Sequence, residues 1–494
     1  MNSLVSNLVE SSVDEPAHGF EWRAVADMAL PFLSSVRSLF DEGLEIFVAA
    51  NGAAVTRVGL DGTWFLRGTV KGFPLALVWN DFRVNGASTS KAVAATFVAF
   101  LDSLTKDPRP LLIGVKSMGV RFMEGRTVFP HAFSILPALN RYRRHNLVIT
   151  LAHGNALGLG TLIFGMGHYR IAVREDSCLN LTGPEVCKMV FGKQVRFEQI
   201  ASNDIQFKNT GLIHELCDTL DAAFARLPHL LAFFMAGNEP VQAPARPLAL
   251  DATDRFIAGI CDEFVEVFRE YDERIRAYIG VIGGKPVGLL INPPDNANNM
   301  IRARSLGLVE DALNLFELLR LPVASMVDTP GADPRMDGNN RQIIEKLISA
   351  SQKIIEYPYP KMGFVVNRSY GGASVIAIPK FFGGEAVYAL EGAHVGVMHE
   401  SIITQLLSGS ARLGAQWLEV SATQTADLKD MIDGGHIEAI IQYGDMRAKI
   451  EQHLLAQSGE IRVRFNRRLT DAPGRFLPTT RHHPLREEQD SHLN

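Results

Sequence analysis

Cysteine is scarce in this chain: Cys178, Cys187, Cys217 and Cys261 are the only four in 494 residues. None belongs to a C-x-x-C pair, which argues against a thiolate zinc site or a dithiol redox motif. So few in so long a chain also argue against a disulfide framework and for a reducing compartment. Each is expected to be a small buried apolar side chain. No run of about 18 uninterrupted apolar residues is present, and the N-terminus lacks a basic stretch followed by an apolar core, so neither a membrane span nor a secretory signal is expected and the cytoplasm is the expected location. A strong excess of charge of one sign is missing too. Lys and Arg number 49 against 54 Asp and Glu, for a net charge of −5, and no basic stripe interleaved with aromatics suggests a nucleic-acid partner.

Several catalytic signatures are absent as well. No H-E-x-x-H or clustered carboxylates point to a metal. No glycine-rich stretch continues into Gly-Lys-Ser/Thr or fits G-x-G-x-x-G with its acidic partner, and no G-x-S-x-G leads from a strand into a helix. A Ser-His-Asp triad could be assembled on paper from His153 and Asp328, but no spacing supports it, and His153 and His399, beside glycine-rich segments, read as structural histidines.

What the chain does have is 47% hydrophobic and 21% charged residues, an ordinary globular balance with ample material for large cores. Residues 1–20 and 468–494 are polar and read as flexible ends. Pro240, Pro244 and Pro247 crowd a linker, because proline removes donors and fixes φ. The linker separates an N-terminal domain, 21–240, from a C-terminal one, 248–460.

The two halves repeat one another. Val70-Lys71-Gly72-Phe73-Pro74 and Ile282-Gly283-Gly284-Lys285-Pro286 each read as the turn of a β-hairpin. An amphipathic helix follows in each, over 90–104 and 302–319. Next comes an apolar strand ending at Ser117-Met118-Gly119 or at Asp328-Thr329-Pro330-Gly331. A further strand runs into a glycine elbow, Asn155-Ala156-Leu157-Gly158 or Tyr370-Gly371-Gly372-Ala373. Gly72 and Gly284 lie 212 residues apart, as do Gly119 and Gly331, and Gly158 and Gly372 lie 214 apart. A duplicated α/β unit with a mostly parallel sheet is therefore expected.

Each elbow leads from a buried strand into a predicted helix. The first N–H groups of such a helix have no intrahelical partner, and glycine admits a ligand close to the backbone. That makes a cradle for a phosphate, a carboxylate or an enolate oxygen. The plainer alternative is that the glycines only allow tight strand–helix packing.

At these residues the chain resembles the carboxyltransferase subunit of biotin-dependent acyl-CoA carboxylases, over roughly 60–410. The hairpin segment of Gly68–Ser88 is similar to the family's opening. Ser117-Met118-Gly119-Val120-Arg121 with Glu124-Gly125 resembles its Ser-Gly-Gly-Ala-Arg loop, and Thr182-Gly183-Pro184 with Val186, Lys188 and Val190 resembles its Thr-Gly-Pro segment. Asp328-Thr329-Pro330-Gly331 and Tyr370-Gly371-Gly372-Ala373 resemble its D-x-P-G and Y-G-G-A motifs.

The resemblance implies two tandem crotonase-like domains built of ββα spiral repeats. It implies that carboxybiotin on a separate carrier protein gives up CO2 to the enolate of an acyl thioester, on CoA or on an acyl carrier protein. Backbone donors at Gly158 and Leu159 would serve the thioester, and those at Gly372 and Ala373 the biotin side. Ser117, Met118, Gly119, Val120, Gly183 and Val375 would contact the acyl substrate, and Tyr370, Gly371 and Gly331 would contact biotin. Biotin carboxylase and biotin carrier chains are the implied partners, since no biotinyl-acceptor A/V-M-K-M motif occurs, and a dimer-based homo-oligomer, up to a hexamer, is the implied assembly. Two departures stand out: Leu159 replaces a glycine of the first elbow and Met118 one of the Ser-Gly-Gly loop, so the thioester side is expected to be crowded. A malonyl-thioester decarboxylase of the same fold remains open, as 180–185 also resembles malonate decarboxylase subunits. So does a non-catalytic assembly subunit.

Overall fold

A computed structural model describes residues 61–174, 178–192, 201–235, 250–294, 296–335, 340–407 and 428–456, with isolated positions at 36, 39–40, 45–46, 412, 414–415 and 417. The expected flexible ends and the proline linker lie outside these residues.

The first half forms one sheet from β1 (Glu45–Ile46), β2 (Thr63–Val70), β3 (Phe73–Asn80), β4 (Leu111–Ser117), β5 (Val148–Leu157), β6 (Tyr169–Val173), β7 (Leu179–Asn180) and β8 (Glu215–Cys217). The second is built from β9 (Glu263–Val267), β10 (Arg276–Ile282), β11 (Lys285–Ile291), β12 (Val323–Thr329), β13 (Lys361–Tyr370), β14 (Val387–Leu390), β15 (His394–Gly396) and β16 (Ala439–Ile441). Strand order is β1-β2-β3-β4-β5-β6-β8 in one and β16-β14-β13-β12-β11-β10-β9 in the other, with β7 on β5 and β15 on β13. Each sheet opens with an antiparallel hairpin and continues in parallel. The hairpins turn on Lys71-Gly72 and Gly283-Gly284, all at positive φ, the twist that a two-residue loop needs.

The repeat extends to fine detail. The β4/β5 ladder slips between Val115 and Ser117, and β12/β13 between Val327 and Thr329, so Lys116 and Asp328 each stand opposite a matching bulge, at 153–155 and 366–368. Isolated bridges join Thr89 to Val120 and Ile301 to Ala332, 212 residues apart in both members. One matched pair is inverted in charge. Arg121 binds Asp61 at 2.7 Å in the first half, and Asp333 faces Arg274 at 3.5 Å in the second.

The crossover helices take their predicted places. Helix α1 (Lys91–Leu104) is capped by Ser90, whose hydroxyl accepts from Val93 N at 3.1 Å. It lays Phe97 and Phe100 edge-on against Phe65 of β2. Burying Phe100 completely contributes roughly 1.5–3 kcal/mol. Helix α2 (Leu159–Gly165) follows the first elbow, and α3 (Pro184–Phe191) lies beside it. Helix α4 (Ala303–Leu318) is the counterpart of α1, and α5 (Ile343–Glu356) packs against it. After the second elbow the chain forms a 3-10 turn over Gly371–Ala377 in place of the expected α-helix. The turn presses on β13 so closely that a Cβ on Gly363 would meet the Ala377 carbonyl at 1.7 Å, and left-handed Ile378 and then Pro379 end it.

One apolar cluster includes Trp79, Tyr169 and Phe224 of the first half with Phe268, Leu313 and Phe316 of the second, so the halves share a core. A polar seam accompanies it. Arg170 Nη2 and His214 Nε2 reach Asp311 Oδ2 at 3.1 and 3.0 Å, and the Tyr169 hydroxyl donates to Glu215 while accepting from Phe268 N. All four cysteines are buried and none is in a disulfide, and burial pushes the thiols of Cys217 and Cys261 up to about 12, well out of reach of a nucleophilic role.

Candidate active site

Both elbows stand at the ends of the fifth strand of their sheets. β5 ends at Leu157, and Gly158 takes φ 52° and ψ −116°, turning the chain into α2. β13 ends at Tyr370, and Gly371 follows at φ 62°. Structurally, then, Gly158 matches Gly371, 213 residues on, and Leu159 matches Gly372. This differs by one position from the sequence pairing of Gly158 with Gly372, because α2 and the 3-10 turn diverge just after the corner.

A second glycine loop closes over each corner. Gly119, at φ 89°, lies so near the end of β5 that a Cβ would approach the Leu157 carbonyl to 2.9 Å. Gly331, at φ 125°, takes the same place over Tyr370, its Cβ position 3.6 Å from that carbonyl. Both loops are braced alike. The Ser117 hydroxyl accepts from Gly119 N and donates to the Ala87 carbonyl at 2.8 Å, and Thr329 Oγ1 accepts from Gly331 N and donates to the Asn299 carbonyl at 2.8 Å.

The predicted residues thus gather as two clusters, one per half, with several changes of role. Gly158 donates its own N–H to the Asn180 carbonyl at 3.0 Å, so it shapes the corner, and the amide next available is that of Leu159. The Leu159 side chain does not crowd the site as expected. It is 1% exposed and packs inward with Ala156, Ile163 and Phe164, since the first turn of α2 directs it into the sheet. Met118 is on the rim, 53% exposed, with its side chain over Gly86. Ser117 is buried with both hydroxyl bonds spent internally, which makes it a brace of the loop rather than a substrate contact, and Val120 packs toward the core. Gly183 sits beside Leu157 at the start of α3, close to the first corner.

In the second cluster Gly372 is exposed, while Ala373 is fully buried. Tyr370 is 7% exposed with its ring edge-on to His399, which leaves little of its face for a ligand. Val375 packs against the shared core. Cβ atoms on Gly371 and Gly372 would stand 3.3 Å from the Val397 carbonyl and 3.4 Å from Leu347 Cδ2, so the glycines leave the backbone of this corner uncovered.

The paper triad is not assembled. His153 stacks on Trp79 at 4.1 Å, and burial, then Lys116, push its pKa down to about 3. Asp328 instead grips Arg368 from β13, at 2.7 and 3.1 Å. Sequence reasoning passed over Arg368, whose one signal was its place two residues before the Tyr370 elbow. Among the described residues no group of His, Cys, Asp and Glu could hold a metal ion, and no helix is long and apolar enough to cross a membrane.

The fold recurs in known proteins. The family described as carboxyl transferase domain matches residues 37–469. The propionyl-CoA carboxylase carboxyltransferase subunit of Haloferax mediterranei is 24% identical over 439 residues, covering 81% of this chain and 83% of its own. The methylmalonyl-CoA carboxyltransferase 12S subunit of Propionibacterium freudenreichii is 23% identical over 361 residues, 69% of each chain. A crystal structure of transcarboxylase 12S, described as a hexamer with hydrolysed methylmalonyl-coenzyme A bound, superposes with a TM-score of 0.76 at 20% identity, over 88% of this chain and 93% of that one. The two sheets are accordingly a tandem pair of crotonase-like domains.

Proposed function

Because the chain belongs to the carboxyl transferase domain family, we propose that it transfers a carboxyl group to the α-carbon of an acyl thioester, carried on CoA or a carrier protein. The observation that carries this reading is the paired construction of the corners: two positive-φ glycines, Gly158 and Gly371, each closed over by a second, Gly119 and Gly331. Backbone donors fixed in this way act on developing negative charge without reorganising, and losing one such donor typically costs ~2.7–4 kcal/mol of transition-state stabilisation.

In the first half, the Leu159 amide is the donor for the thioester oxygen, which would become negative as the α-proton passes to the ureido nitrogen left basic by loss of CO2. In the second, the backbone at Gly331, Gly371 and Gly372 suits the close approach of a flat ureido ring, because no side chain of these residues covers it. Biotin on a separate carrier chain supplies the carboxyl group. The Gly372 amide orients and polarises the ureido oxygen, and Tyr370 backs the strand end. Residues 21–240 hold the thioester and 248–460 the biotin, in a homo-oligomer that joins the two kinds of site across protomers. The relatives' names fit such a complex, being subunits of propionyl-CoA carboxylase and of methylmalonyl-CoA carboxyltransferase.

Purified protein mixed with a carboxylated biotin carrier and a panel of acyl thioesters should yield a carboxylated thioester. Release of CO2 from malonyl thioester with no biotin present would instead establish the decarboxylase.

A further inference from the structure

The duplication allows each half to serve as a control for the other. At the bulge of the first half stand Lys116 and, opposite it on β5, Asn155; at the bulge of the second stand Asp328 and Arg368. Lys116 lies over the Phe82 ring, and Asn155 Oδ1 accepts from Cys178 N. Among the described residues, the second half alone has an ion pair here. Asp328 is buried, its amide held by Asn292 Oδ1 at 3.1 Å. Its carboxylate accepts from the Arg368 backbone N, from Nε at 2.7 Å and from Nη2 at 3.1 Å. Nη2 also reaches the Ala297 carbonyl at 3.5 Å. Nη1 has no partner among the described residues, and a quarter of the side chain (26%) remains exposed. Arg368 and Tyr370 share a face of β13, two residues apart, and the strand ends at once in the Gly371 corner.

A guanidinium clamped along one edge and open along the other is a directional donor for an anion. Resting on the reading given above, we propose that Arg368 binds the carboxylate of the carboxylated ureido ligand at the second elbow, with Asp328 as its positioning residue. Asp328 cancels part of the cation's long-range field, so the contribution is a local, oriented hydrogen bond. The first elbow, which receives a neutral thioester, has no equivalent among the described residues.

Two stable compounds test this by calorimetric binding: biotin methyl ester, neutral at the ureido ring, and its N1′-carboxymethyl derivative, which adds a carboxylate there. The intact protein should prefer the carboxymethyl compound roughly tenfold. Arg368→Gln should abolish the preference while leaving affinity for the neutral ester unchanged, and Asp328→Asn should reduce it in part. Should Arg368→Gln fail to fold, Arg368→Lys, which keeps the charge without the fork, should still lose most of the preference. A preference that survives in a folded Arg368 variant overturns the proposal. Binding of the neutral ester with no preference in the intact protein also overturns it but spares the biotin-site reading, whereas binding of neither compound removes both.

Discussion

Gly158→Ala is the sharpest perturbation of the first corner. A methyl group there has room, the nearest atom being the Leu181 carbonyl oxygen at 3.6 Å, so the cost comes from the backbone rather than from collision. An L-residue at φ 52° and ψ −116° is strained by about 1–3 kcal/mol. The chain can relieve that strain only by rotating the peptide that carries the Leu159 amide. Thermal unfolding should therefore show a modest fall in midpoint, while kcat for carboxyl transfer drops about 10²–10³-fold, the usual consequence of a displaced oxyanion donor. Gly165→Ala, at the far end of the same short helix, is the control. Its Cβ would lie an ordinary 3.6 Å from Leu212 Cδ1, and alanine at a helical position is neutral or stabilising by up to ~1 kcal/mol. The two measurements together locate the effect. If Gly158→Ala keeps full kcat, or if its activity loss merely tracks its stability loss as in unrelated destabilised variants, the corner is structural and the donor assignment is wrong.

Leu159→Ala should behave in the opposite way, losing about 2–5 kcal/mol by denaturant titration as a cavity opens beside Ile163 and Phe164. Its kcat, measured below the unfolding transition, should change little, because the working group is the amide; a widened substrate range would instead restore the crowding reading. The seam between the halves predicts a pH effect. Burial, then Arg170, push the His214 pKa down to about 4, below its ordinary ~6.5. The unfolded chain therefore binds the extra proton first, and stability should fall as pH drops from about 6.5 to about 4, by ~3 kcal/mol at the lower end. Asp311 stays ionised across that window: burial alone would raise its pKa, but His214 and Arg170 outweigh burial and hold it well below the carboxylate range. His214→Asn should flatten the profile in chemical denaturation, and an unchanged slope would refute the assignment.

Much of the architecture could be read from the residues because it rests on local patterns. Apolar runs bounded by glycine gave the strands, Ser90 marked the start of α1, and a nearly constant offset exposed the duplication. The elbows were legible for the same reason. Three features were not. The direction of the Leu159 side chain depends on which face of α2 meets the sheet, and substitution of a glycine does not reveal that. The 3-10 turn after Gly371 follows from the contact between Gly363 and the Ala377 carbonyl, which joins residues 14 apart in sequence. Arg368 and Asp328 meet only because β12 and β13 lie side by side with a matching bulge, so no linear spacing signals the pair.

The inverted ion pairs bear on how a chain with two similar halves avoids assembling them wrongly. During folding, each hairpin could dock onto the other half's sheet, since the strands and loops have the same shape. The loop charges distinguish the combinations. In the native arrangement Asp61 meets Arg121 and Arg274 meets Asp333. After an exchange Asp61 would face Asp333 and Arg274 would face Arg121, like against like at a partly buried joint. Arg335 at 2.6 Å and Arg302 at 2.9 Å also hold Asp333, so the discrimination rests mainly on the lost attractions and on Arg274 facing Arg121. The two ion pairs let each half recognise its own hairpin.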